Sequence, residues 1–281
     1  MRGEAIMKGL KKLLSLGLVL ALTVGGVVGC SSKSSASKLD QIKENGKLVV
    51  GLNPDYPPFE FPKVENGKDE VAGFDVELAN KISKEIGVDV EIKKMGFDGL
   101  IGALNANKID IILSGMSPTD ERKKSVDFSD LYYVTQNAVI VREGDENKVK
   151  TEDDLKKLNA GVQKGTIQEE YVRDTLKMEN MKSLTNVPDL VLDLKNGKID
   201  AIVVNETVGM INTKQYDGIK LATSGLGDNV EEGMAAAIKK DDNNKEYLEL
   251  INKVIKDLKD SGEIDKMLED ATNLAAKGGS N

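Results

Sequence analysis

An α/β fold in two similar lobes is expected for this chain from three observations. A helix-then-strand unit at residues 100–114, LIGALNANKIDIILS, recurs at 190–204, LVLDLKNGKIDAIVV, with the two Lys-Ile-Asp triplets 90 residues apart. Apolar runs of four or five residues alternate with amphipathic stretches, as buried strands joined by crossover helices require. Roughly 240 residues follow a polar segment ending at Lys38, enough for one large domain or two small ones, and the repeat favours two.

Taken in order, strands are expected at residues 47–52, 88–95, 109–113, 137–141, 159–162, 201–204 and 233–238. Helices are expected at 75–86, 97–106, 118–125, 152–157, 167–176, 187–195, 244–261 and 263–274, where apolar residues recur at helical spacing. In the repeated units the amphipathic stretch stops at Asn-Lys or Gly-Lys, where a helix C-terminus is commonly closed. The helix at 118–125 has Ser117 as N-cap, Pro118 as its first residue, Asp120 as capping-box acid and Glu121 as further acid in the first turn. The helix at 167–176 is capped by Thr166, with Glu169 completing the box. Open, mostly parallel sheets bind ligands at the carboxyl ends of their strands, so ligand contacts should lie just after these runs.

Composition excludes several chemistries. The sequence has no histidine and one cysteine, which rules out zinc sites built on His and Cys, Ser-His and Cys-His nucleophile pairs, and an internal disulfide. Residues 241–244, DDNN, lack the glycine and spacing of a calcium loop and read as a solvated turn. No cofactor is expected. Beyond residue 29 the chain carries 35 Lys and Arg against 46 Asp and Glu, a net charge of −11, which makes it a poor partner for nucleic acid.

The N-terminal segment carries its own address. Arg2, Lys8, Lys11 and Lys12 precede an apolar run over residues 13–29, and Cys30 follows. The run has the length of a secretory signal and is slightly short for a ~30 Å hydrocarbon core. With Gly25, Gly26 and Gly29 before the cysteine, the arrangement resembles a bacterial lipoprotein signal; Val27 departs from it, since leucine is usual there. The resemblance implies a signal peptide over 1–29, acylation such as palmitate on Cys30, and anchoring to the extracytoplasmic face of the cell membrane. Residues 31–38, SSKSSASK, read as a flexible tether within a spacer over 30–38.

Two helix starts and two aromatic residues suggest a binding site. At residues 113–122, LSGMSPTDER, a helix opens directly after a buried strand, so its N–H groups, Ser117 and Arg122 together would seat a carboxylate. A guanidinium offers a planar fork that lysine lacks. The alternative is a capped surface helix whose arginine pairs with Glu121 or Asp127. In the other half, residues 161–169, GVQKGTIQE, offer the N–H groups of Thr166 and Ile167 to the same carboxylate. Eight of the eleven Phe and Tyr residues lie between Tyr56 and Tyr133, and Tyr56 and Phe97 stand just after expected strands as pocket walls.

Residues 51–61, GLNPDYPPFEF, then 73–79, GFDVELA, then 115–122, GMSPTDER, and 126–133, VDFSDLYY, resemble the successive signatures of the polar amino acid-binding proteins that serve ABC importers. With Gln163–Gln168 and the second Lys-Ile-Asp triplet, the similarity spans residues 45–275. It implies a periplasmic-binding-protein-like type II fold with two strand crossovers as hinge, lobe 1 being 39–134 with 231–281 and lobe 2 being 135–230. An L-amino acid would be held between the lobes by Asn53, Tyr56, Phe97, Ser114, Gly115, Met116, Ser117, Arg122, Gln163, Thr166, Ile167, Gln168, Asn205 and Glu206. The resemblance implies that Arg122, Ser117 and the backbone at Ile167 hold the α-carboxylate. Gly115 would accept from the α-ammonium, and Tyr56 and Phe97 would clasp the side chain.

Two positions depart from the pattern. Asn205 stands where most members have aspartate against the ligand ammonium, and Asn53 where aspartate is frequent in binders of basic amino acids. Burying an ammonium without a counter-ion is costly, so Glu206 or Asp55 is expected to compensate. The neutral pair favours a polar uncharged ligand, while the acidic surface argues for a basic one. The expected partners are an amino acid and the permease of an importer, with the protein itself monomeric. Alternatives are an amino acid sensor, or a dehydratase-like enzyme on the same fold using Glu60 or Glu206.

Overall fold

The computed structural model describes residues 37–65, 67–226 and 232–278. The expected signal, Cys30 and most of the tether lie outside the described residues. Ser37, expected within the tether, instead caps the first helix, α1 (Lys38–Asn45), and its capping box with Asp40 is complete.

Two five-stranded sheets form the scaffold. The first runs β4 (Asp89–Lys94), β1 (Lys47–Leu52), β5 (Ile111–Ile112), β12 (Glu232–Lys239), β6 (Val126–Thr135). The second runs β9 (Met181–Leu184), β8 (Ala160–Gln163), β10 (Ala201–Asn205), β7 (Asn137–Arg142), β11 (Ile219–Ser224). The sheets share one plan. β1 is parallel to β4 and β5 with β12 antiparallel beside β5, just as β8 is parallel to β9 and β10 with β7 antiparallel beside β10. The chain passes between sheets twice, through Gln136 from β6 to β7 and again from β11 to β12. A short hairpin, β2 (Phe61–Glu65) and β3 (Lys68–Ala72), leads into α2 (Phe74–Ile86).

The Lys-Ile-Asp triplets explain why the plan repeats. Asp110 ties itself to Val49, donating its N–H to the Val49 carbonyl at 2.7 Å and accepting from the Val49 N–H at 2.9 Å. Asp200 does the same to Asn159, donating at 2.8 Å and accepting at 3.2 Å. The preceding isoleucines, Ile109 and Ile199, are buried and press on Gly51 of β1 and Gly161 of β8, beside Leu100 and Leu190 of the two crossover helices, α3 (Leu100–Asn105) and α7 (Val187–Lys195). Each lobe thus packs a helix onto a strand glycine through the same three side-chain types.

The C-terminal helices close the first lobe and reach the second. α9 (Lys245–Asp260) buries Tyr247, Ile251 and Ile255 against that lobe, and α10 (Glu263–Gly278) continues to α8 (Glu206–Gln215) of the second. There Phe61, Ile211 and Ala275 form a small apolar cluster, and Gln215 Nε2 donates to the Ala275 carbonyl at 2.9 Å.

Candidate ligand-binding site

Loops at the carboxyl ends of strands in both lobes build the site. The Asn53 N–H, just after β1, donates to Ser114 Oγ at 3.0 Å, and that hydroxyl donates to Glu60 Oε1 at 2.6 Å. Gly115 has φ +54°, and its N–H donates to Asp75 Oδ2 at 2.8 Å. A Cβ there would lie 3.4 Å from the Tyr56 ring, so the glycine supplies a left-handed turn against an aromatic wall.

Arg122 joins the lobes. Its helix differs from expectation: α4 is only Asp120–Lys123, and the cap is Thr119, whose Oγ1 accepts from the Arg122 N–H at 3.3 Å. Ser117 and Pro118 therefore stay in the loop, and Asp120 becomes the first helical residue. Glu121, one of the two acids that the alternative reading offered to Arg122 at the surface, pairs with Lys124. The guanidinium is buried, Nη1 donating to the Ser117 carbonyl and Nη2 to the Gly165 carbonyl of the second lobe, both at 2.8 Å. Phe97 lies under it, 5.4 Å from ring centre to guanidinium carbon.

In the second lobe Thr166 caps α6 (Ile167–Glu170), accepting from the Glu169 N–H and donating to the Gln163 carbonyl at 2.6 Å. Glu169 reaches one residue further back than expected, to the Gly165 N–H at 2.7 Å. The helix widens into a π turn at Tyr171–Thr175, where a continuous α-helix was expected. Gln163 Nε2 crosses to the first lobe and donates to both Asp55 oxygens, at 3.2 and 3.1 Å. Asp55 Oδ2 also accepts from the Val187 N–H at 3.0 Å, at the N-terminus of α7. An ion pair between Lys164 and Asp98 at 2.8 Å adds a further link between the lobes.

A cavity between the lobes is lined by Asn53, Tyr56, Phe97, Ser114, Gly115, Ser117, Arg122, Gln163, Thr166, Ile167 and Gln168, together with Asp55 and Glu60. Three residues singled out in the sequence are not in this wall. Met116 is core, packed in one cluster with Leu100, Val126 and Ala237. Asn205 is fully buried and caps α8, its Oδ1 accepting from the N–H groups of Thr207 and Val208 at 2.9 and 3.4 Å. Glu206 faces the crossover, accepting from Gln136 Nε2 at 2.9 Å. Of the two carboxylates expected to compensate for Asn205, only Asp55 reaches the cavity.

The two acids of this wall, Asp55 and Glu60, are unusual, as is Asp75, which accepts from the Gly115 N–H. Burial raises Asp55 to about 6, against the lowering effect of its bonds to Val187 and Gln163. Glu60, fully buried, is raised well above the usual carboxylate range by burial and then by Asp75. Burial raises Asp75 to about 7, although the Gly115 N–H and the Tyr132 hydroxyl both donate to it. Among the described residues no group of side chains is suited to hold a metal ion, and no helix is long and apolar enough to cross a membrane.

The model of the bacterial extracellular solute-binding proteins, family 3, matches residues 48–272. The chain belongs to this family. Among the relatives of this family-3 binding protein, the arginine-binding extracellular protein ArtP of Bacillus subtilis is 37% identical over 262 residues, 92% of this chain and 96% of that protein. The L-cystine-binding protein TcyJ of Escherichia coli is 33% identical over 254 residues, 90% and 93% respectively. A crystal structure of AbpA from Streptococcus pneumoniae, an amino acid ABC transporter substrate-binding protein bound to L-arginine, superposes with a TM-score of 0.80 at 40% identity, covering 84% of this chain and 98% of that one. The two-lobed α/β architecture of the family-3 binding protein is that of the periplasmic-binding-protein-like fold.

Proposed function

We propose that this family-3 binding protein captures an L-amino acid with a cationic side chain, of the arginine type, between its lobes and delivers it to the permease of an ABC importer. The observation that carries this reading is a shared cavity presenting one guanidinium, Arg122, and two buried carboxyl groups, Asp55 and Glu60. A zwitterion needs one group of each sign; the second carboxyl group suits a further positive charge on the ligand. The relatives named for arginine support the same choice over a polar uncharged ligand.

In this reading Arg122, Ser117 and the Ile167 backbone hold the α-carboxylate, and Tyr56 and Phe97 flank the side chain. Asp55 answers the α-ammonium together with the Gly115 carbonyl. Bonds from both lobes to one ligand shift the population toward the closed arrangement. The family places the protein outside the cytoplasm. Cys30 would hold it at the membrane through acyl chains, so palmitate labelling should be lost in Cys30→Ala. Delivery to a permease suits a monomer.

Thermal denaturation with each of the twenty amino acids and cystine tests the ligand. L-Arginine should give the largest shift, since a ligand at 100 times its dissociation constant adds ~2.7 kcal/mol to the folded state. If no amino acid raises the melting temperature, the capture reading is wrong; if cystine alone does, the relationship to the cystine binder prevails.

A further inference from the structure

We propose that the seam between α8 and α10 is a clamp that sets ligand affinity from outside the cavity, holding the lobes together through contacts that no ligand touches. Its effect on affinity rests on the capture reading above and extends that reading to residues remote from the ligand.

The clamp starts from the way α10 is fixed. Ile264, Met267, Ala271 and Ala275 recur at helical spacing along it and are all buried. The first three lie in the main core, and Glu263 at the start of the helix pairs with Lys81 of α2, so most of α10 is anchored to the first lobe. Its last turn overhangs the second. Ala275 sits in a separate apolar cluster with Phe61 of β2 and Ile211 of α8, against which Ala72 and Leu274 also pack. Ile211 belongs to the second lobe and is only 2% exposed, yet each of its neighbours in that cluster comes from the first. Four residues on, along the same face of α8, Gln215 Nε2 donates to the Ala275 carbonyl at 2.9 Å. That carbonyl lies in the last turn of α10, where helix carbonyls are left to find donors outside the helix.

The seam also lies where movement of the lobes makes or breaks it. α8 begins at the crossing, with Glu206 on Gln136 and Thr207 on Tyr133, and Gln215 stands roughly 14 Å further along its axis, so a turn about the crossing displaces that end. The groove beside the seam, lined by Phe61, Gln215 and Ala275, is lined as well by Asp55 and Pro188. There the Val187 N–H crosses the cleft to Asp55 at 3.0 Å, so the seam and a cleft contact share one flank and form together. Opening would put Ile211 into water and release Gln215 from its acceptor. The closed arrangement gains from the seam with or without a ligand, and apparent affinity rises with the fraction of molecules already closed.

Small-angle X-ray scattering of the ligand-free protein and calorimetric titration of L-arginine test this on the parent, Ile211→Ala and Gln215→Ala. Neither residue lines the ligand cavity. Both variants should show a larger ligand-free radius of gyration than the parent, and the same radius as the parent at saturating arginine. Arginine should bind at least about threefold more weakly to Gln215→Ala and at least about tenfold more weakly to Ile211→Ala, with the loss in faster dissociation. Parent-like radius and affinity in both variants, even with a lowered melting temperature, would overturn the inference, because the seam would then be packing alone. Tighter binding in either variant would also overturn it, since the seam would then oppose closure. If no amino acid binds the parent, the capture reading fails, and the ligand-free radii alone decide whether the clamp exists.

Discussion

Arg122 is where the two lobes meet on one side chain, one guanidinium nitrogen on Ser117 and the other on Gly165. A strand end followed by a cap and an arginine made the residue legible in the sequence, together with Ser117, Thr166 and the aromatic walls. The exact cap was not legible: Ser117 and Thr119 both suit it, and only the path of the loop decides between them. Asn205 misled for a different reason. The position of a side chain in a motif does not say whether its amide faces a ligand or its own helix, and here it caps α8. Glu60 has a measurable consequence for stability as well as for binding. Its carboxyl group is raised by burial, so the folded state holds a proton that the unfolded state releases above its ordinary range near pH 4 to 5. Stability from this group is complete at low pH and falls as pH rises. Glu60→Gln lacks the titration, so its melting temperature without ligand should match the parent's near pH 4 and exceed it by about 3 °C or more at pH 8. Equal melting temperatures at both pH values would contradict the buried acid.

The helices and central strands follow from short apolar runs and helical spacing, and most appear within a few residues of expectation. The elements that escaped are those whose local pattern is mixed. β6 carries Asp127 and Asp130 among its apolar residues, because an edge strand pairs on one side only. α8 follows β10 with no intervening loop, Asn205 being both the last strand residue and the cap, so no turn signal marks it. α1 hides behind a serine-rich segment whose last serine is its cap. The repeated unit makes a sharper statement. A Cβ on Gly51 would come within 2.3 Å of Ile109 Cδ1, and one on Gly161 within 2.5 Å of Ile199 Cδ1 and 2.9 Å of Leu190 Cδ2. Gly51→Ala and Gly161→Ala should each destabilise the protein by about 1–3 kcal/mol in urea unfolding, as overpacked cores do. If either is neutral, the close helix-on-strand packing is not what fixes that lobe.

For the molecule as a whole, the two lobes are one plan used twice, joined where β6 passes to β7 and β11 to β12. The crossing at Gln136 is held by its contact with Glu206, and Tyr133 and Thr207 share a hydrogen bond of 2.9 Å beside it. Further links lie across the cavity at Arg122, Gln163 and Lys164. Such polar contacts between lobes are individually weak, and the surface pair Lys164–Asp98 adds little by itself. A ligand that engages both walls supplies the difference. The repeat made two lobes legible, whereas the contact of α10 with α8 was not, because it joins residues far apart in the chain. The most direct test is calorimetric titration of L-arginine into the parent protein and into Arg122→Ala. Tight one-to-one binding that weakens at least about thirty-fold in the variant is the expected result, from a charge-assisted contact worth about 2 kcal/mol or more. Equal affinity in the two proteins would contradict capture by this site.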